Sequence, residues 1–181
     1  MILLHFCFHQ EHLVWLNNPL LHSLQMSNLL ESFIGYADGA SHRSQNLSST
    51  AWAIFNPSGE LVSFRGVCIG RSTNNIVEYS ALIEVLSDAI THGICRLVVR
   101  LDSQLVILQI TSIYVVQNPA IYRMFLRVKI LERQFDFIQY QHISRSLNTL
   151  VESLANYVLE RHLRHLLKEA SHQYMQQDHV T

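Results

Sequence analysis

From residue 33 onward, apolar and polar positions fall into short runs separated by turn residues. The run FIGYA (33–37) reads as a strand closing at Asp38-Gly39, followed by a polar, loop-like stretch over 41–49. TAWAIF (50–55) reads as a second strand, and NPSG (56–59) as a tight turn with proline at its second position. A third strand over 61–69 completes a hairpin, so the first three strands are expected to be antiparallel in succession.

The period then changes. Ile76, Val77, Tyr79, Leu82, Val85, Leu86 and Ala89 recur at helical spacing, and Gly93 supplies a C-terminal stop. RLVVRL (96–101) is a strand ending at Asp102, after which Asp102 or Ser103 can cap a helix through about residue 110. Asn118-Pro119 opens a helix over about 120–133, and residues 135–142 alternate as a fifth strand. Asn148 or Thr149 caps a last helix to roughly residue 170. The order β-β-β-α-β-α-α-β-α predicts an α/β fold, a mixed sheet with helices on both faces. Residues 1–31 do not share this punctuation. They read as an N-terminal extension, the remnant of a longer parent chain, with a turn at Asn17-Asn18-Pro19 and a short amphipathic helix over 20–30. The domain is expected over 32–168, with a polar, fraying tail over 169–181.

Composition narrows the classes. With 181 residues the chain can bury one sizeable core. A net charge of −1 gives no basic bias from which nucleic-acid affinity could be argued, and lysine occurs only at Lys129 and Lys168. Cys7, Cys68 and Cys95 are odd in number and widely spaced, which fits small buried hydrophobes in a reducing compartment rather than a zinc site or a disulfide framework. The apolar N-terminal run has no basic n-region and is broken by His5, His9, Gln10 and Glu11, so neither a secretory signal nor a membrane span is expected. The chain reads as soluble and intracellular, with nucleus or cytoplasm open.

Against this weakly charged background four carboxylates occupy apolar elements: Asp38, Glu78, Asp102 and Glu152. If the first and fourth strands are parallel neighbours, Asp38 and Asp102 lie side by side at the sheet edge where α/β proteins bind ligands. Glu78 near the start of the first helix, and Glu152 near the start of the last, can reach the same edge. Such a cluster is costly unless cations sit in it. Mg²⁺ takes carboxylate, water and phosphate oxygens, and a pair of ions about 3.5–4 Å apart is the standard clamp for phosphodiester cleavage. Each acid also has a local reading: Asp38 as a turn residue, Asp102 as a helix cap, and Glu78 and Glu152 as first-turn acids favoured by the helix dipole.

The blocks YADGAS (36–41), NNIVEYSAL (74–82), LDSQL (101–105) and HISR…NTLVESLAN (142–156) together resemble ribonuclease H type 1, in the plant, retroelement-derived form associated with reverse transcriptases. The resemblance covers about residues 33–163. It implies a five-stranded mixed sheet of order 3-2-1-4-5 with strand two antiparallel to the rest. It implies an endonuclease that hydrolyses the RNA strand of RNA–DNA hybrids with two Mg²⁺ or Mn²⁺ ions. Asp38, Glu78 and Asp102 match the family's first three metal-binding carboxylates, and Glu152 stands in the fourth place. Asn75 and Gln104 fall in motif positions near the hybrid's minor groove, where 2′-hydroxyls tell RNA from DNA. Arg145 is a further candidate contact to the nucleic acid. The protein is expected to act as a monomer, complete or as a fragment of a larger polyprotein, and without membrane association.

The chain also departs from that pattern. The family has Asp where Glu152 stands, one methylene shorter. The loop before the last helix, 144–147, carries no His, and His142 belongs to the strand before it. TSIYVVQNP (111–119) lacks the basic grip that related enzymes use; Arg43, Arg71, Arg123, Arg127 and Arg145 are the available substitutes. Two functions from different classes follow: an active hybrid-specific ribonuclease, or a degenerate domain that binds nucleic acid or protein without cutting. A small-molecule α/β domain has no GxGxxG or P-loop to support it.

Overall fold

The computed structural model describes residues 26–177 apart from 43 and 45, with side chains described as far as residue 169. Cys7, the apolar N-terminal run, Arg43 and residues 178–181 lie outside the described residues, as does most of the helix expected over 20–30. The chain divides into two units, Met1–Ser32 and Phe33–Thr181. In the first, residues 26–30 form a helical turn closed by Glu31 N–H on the Ser27 carbonyl (3.1 Å) and by Ser32 Oγ on the Asn28 carbonyl (2.5 Å).

Among its described residues the second unit contains five strands, β1 (Phe33–His42), β2 (Leu47–Phe55), β3 (Leu61–Cys68), β4 (Arg96–Leu101) and β5 (Phe137–His142). Four α-helices accompany them, α1 (Asn74–Thr91), α2 (Gln104–Ile110), α3 (Pro119–Glu132) and α4 (Thr149–Gln177), with a short 3-10 turn at Arg145–Leu147. The strands form one sheet in the order β3-β2-β1-β4-β5. β2 is antiparallel to both neighbours, while β1–β4 and β4–β5 are parallel. The expected order and the reversed second strand are therefore both present.

Period-two alternation decides which residue faces which layer. On β2, Trp52 and Ile54 enter the larger core with α1, α2 and α3, while Ala51 and Ala53 face Val151 and Ala155 of α4. Small residues on this second face let α4 lie close to the sheet. Gly66 of β3 serves the same end, since a Cβ there would come 2.7 Å from a Val158 methyl.

Three boundaries differ from the sequence expectation. Asp38 does not close β1; the strand continues to His42, because its antiparallel ladder with β2 runs on from Asp38↔Ala51 to His42↔Leu47. The polar stretch over 41–49 is accordingly mostly strand. Ser48, Ser49 and Thr50 are fully buried, and Ser49 Oγ donates to the Ala155 carbonyl at 2.6 Å, so buried hydroxyls here are compatible with a strand that reads as loop. Finally, α4 runs to Gln177 rather than ending near 170, there being no glycine or proline after Thr149 to stop it.

Candidate active site

The parallel ladder between β1 and β4 pairs Tyr36 with Arg100. Two residues further along both chains, on the same face by strand alternation, come Asp38 and Asp102. Glu78 arrives from the opposite layer. It sits in the first turns of α1, which lies close against β1 because residue 39 is glycine; a Cβ at Gly39 would collide with the Val77 side chain. One carboxylate oxygen each from Asp38, Glu78 and Asp102 lie within 4.8 Å of one another. The three acids line a pocket of about 280 Å³ whose wall also includes Asn74, Arg145, Glu152 and Asn156.

The electrostatics of this cluster are unfavourable to its own charge. Burial pushes Asp38 up from 3.8 to about 7, with Asp102 and then Glu152 adding repulsion and the Gly39 N–H and Arg145 opposing. Burial likewise pushes Glu78 up from 4.5 to about 8, reinforced by Asp38 and Asp102. A compact, all-oxygen, under-compensated donor set fits a hard divalent cation such as Mg²⁺.

Asp102 is held from two sides. The Asn148 side-chain N–H donates to its carboxylate at 3.0 Å and to the Ala37 carbonyl at 3.1 Å, so one fully buried amide ties the start of α4 to β1 and to the cluster. The His142 ring contacts the Asp102 carbonyl at 3.2 Å, from its place as the last residue of β5. Reading Asn148 as a helix cap missed this role. Only its position four residues before Glu152 could have hinted at it.

Glu152 lines the same pocket but stands apart from the three-acid cluster. It accepts from Arg145 Nε at 2.8 Å and from a second Arg145 nitrogen, while the Arg145 side chain remains 74% exposed. Two candidates thus prove to be partners of each other. Asn75 is the second residue of α1, Gln104 opens α2, and both are exposed; neither lines the pocket. Arg71, Arg123 and Arg127 are exposed as well. The segment between α2 and α3, which lacks basic residues, instead exposes Ile113, Tyr114 and Val115.

A 3-2-1-4-5 sheet carrying three acids at the β1/β4 edge defines the chain as a ribonuclease H-like domain. Residues 36–158 match the sequence profile of the Reverse transcriptase-like family, and the chain belongs to that family. It is 35% identical over 125 residues to the ribonuclease HI of Halobacterium salinarum, across 69% of this chain and 63% of that protein. It is 38% identical over 88 residues to a bifunctional protein of Mycobacterium tuberculosis, across 49% of this chain and 24% of that one. The chain thus spans less than two thirds of the length of these curated relatives. Among solved structures it resembles RNase H1 of Halobacterium salinarum with a TM-score of 0.70 and 34% identity, over 72% of this chain and 98% of that one. It also resembles LC11-RNase H1, solved in complex with an RNA/DNA hybrid, with a TM-score of 0.69 and 26% identity, over 73% of this chain and 99% of that one. Among the described residues no helix is long and apolar enough to cross a membrane.

Proposed function

We propose that this chain is an endonuclease that hydrolyses the RNA strand of RNA–DNA hybrids with the help of two Mg²⁺ or Mn²⁺ ions. The observation that carries this reading is the convergence of Asp38, Glu78 and Asp102 within 4.8 Å at the β1/β4 edge. These three would hold the ions, with Glu152 as a fourth ligand. When bound, such ions supply the positive charge that activates the attacking water and stabilises the leaving oxygen. The protein's own share is placement. Asn148 fixes the Asp102 carboxylate, and the strand register sets its separation from Asp38. The exposed Arg145 guanidinium is suited to a phosphate of the substrate. Asn75, three residues before Glu78, and Gln104, two after Asp102, lie close along the chain to two ligands, and their amides suit 2′-hydroxyls in a minor groove.

The functional unit in this proposal is residues 32–168, acting as a monomer inside the cell, whole or as part of a polyprotein. Its membership of the plant, retroelement-derived branch rests on the motif blocks at 36–41, 74–82, 101–105 and 142–156. The test is cleavage of an end-labelled RNA–DNA hybrid by the purified chain with Mg²⁺ or Mn²⁺. Cleavage should fall about 10²-fold or more in Asp102→Asn, the scale on which losing one charge-stabilising group acts. Folded protein that leaves the RNA intact would sink the proposal.

A second reading has its own observation. Because Glu152 is engaged by Arg145, the domain could bind hybrids yet cut them poorly. Hybrid binding in a gel-shift assay without cleavage would favour that reading.

A further inference from the structure

On the far flank of α4 the chemistry reverses. Between this helix and the edge strand β3 runs a groove of about 720 Å³. Its helix side is formed by Tyr157, Arg161, His162, Arg164, His165 and Lys168, and its strand side by Gly66 and Cys68. Arg161, Arg164 and Lys168 are exposed, and no carboxylate is among the described lining residues. Helical spacing explains the stripe. At roughly 100° per residue, positions 157, 161, 164, 165 and 168 share one face, with Glu160 about 100° from Arg161 on one side and Glu169 about 80° away on the other, in angle between Arg161 and His162. Glu169 is moreover paired with His165 at 3.5 Å. Glu152 lies about 180° around the helix from Arg161 by the same count, so this groove and the acidic pocket occupy opposite flanks.

We propose that this groove binds a single-stranded segment of nucleic acid, at a site separate from the acidic pocket. The charge selects a polyanion. Tyr157, 52% exposed beside the guanidinium groups, selects one with bases to stack, which neither an acidic peptide nor a lipid headgroup supplies. The rise from Arg161 to Lys168 is about 10 Å, the span of roughly three stacked nucleotides of one strand. With the pocket on the other flank, a strand in the groove leaves the acids open to a hybrid. The protein could therefore stay on a transcript or displaced strand while it samples duplex.

The experiment is fluorescence anisotropy of a labelled oligouridine with the full chain, titrated between 50 and 200 mM salt. Three phosphate contacts on a single strand contribute roughly 2 to the slope of log affinity against log salt. The Arg161→Ala, Arg164→Ala, Lys168→Ala variant should lose that much slope while cutting a short hybrid at the wild-type rate. Tyr157→Ala should weaken binding roughly tenfold with the slope retained. Should the triple variant fail to fold, Arg164→Gln alone should lower the slope by about 0.7. An unchanged slope in a folded variant overturns the proposal, as does wild-type binding to phosphatidylserine vesicles in preference to the oligonucleotide. Because hybrid cleavage is read separately, loss of the groove and failure of the nuclease reading give different results.

Discussion

Glu152 lies on the pocket wall with its carboxylate turned to Arg145. Arg145 is largely exposed, and surface ion pairs of this kind are worth less than about 1 kcal/mol. The Arg145 pair would therefore not by itself keep Glu152 from serving as the proposed fourth ligand. In the proposed metal site the resemblance implies an aspartate at this place, and the extra methylene of Glu152 would carry its oxygens further along. Misplacement by about 1 Å can cost about 100-fold in rate. Glu152→Asp should therefore raise single-turnover cleavage of a hybrid by up to that factor. An unchanged rate would mean that side-chain length is not limiting. Asn148 makes a stronger demand. Its removal leaves the buried Ala37 carbonyl without that donor and Asp102 without a guide, so Asn148→Ala should cost about 1–3 kcal/mol in urea unfolding.

The elements position the acids through close approach. β1 carries Asp38 in its interior, and α1 brings Glu78 over the same edge because Gly39 admits Val77. Gly39→Ala would push the first turn of α1 outward and Glu78 with it. The expected result is a loss of about 1–3 kcal/mol of stability from overpacking, together with weaker Mn²⁺ binding by calorimetry. Wild-type metal affinity would show that α1 adjusts without moving Glu78. Most elements were legible from hydrophobic period alone: the hairpin of β2 and β3, the wide stripe of α1, and α3 opened by Asn118, whose side chain accepts from Ala120 N–H at 2.9 Å. The end of β1 and the start of β2 were not. SHRSQNLSS is polar, and only its pairing partner makes Ser48 and Ser49 part of a buried strand.

At the scale of the whole molecule, three acids that oppose one another make stability depend on pH, and the proposed metal would offset that dependence. Unfolded, Asp38 and Glu78 release their protons near 3.8 and 4.5; folded without metal, they hold them to about 7 and 8. Between about pH 4 and pH 8 the folded state carries the more protons, so stability falls as pH rises through that window. In EDTA the melting temperature should accordingly lose ground between pH 5 and pH 8.5. Mg²⁺ binding must displace those protons, so its affinity should rise over the same range and offset the loss. A pH-independent Mg²⁺ affinity would count against the raised pKa values of Asp38 and Glu78. By itself, the sequence determined the alternation of strands and helices and named the acids, because burial periodicity and local turn chemistry are written along the chain. Only the tertiary structure decided which acids meet. Register aligns Asp38 with Asp102, and glycine at position 39 admits Glu78. Each of these depends on the distance between residues far apart in sequence, which no local pattern encodes.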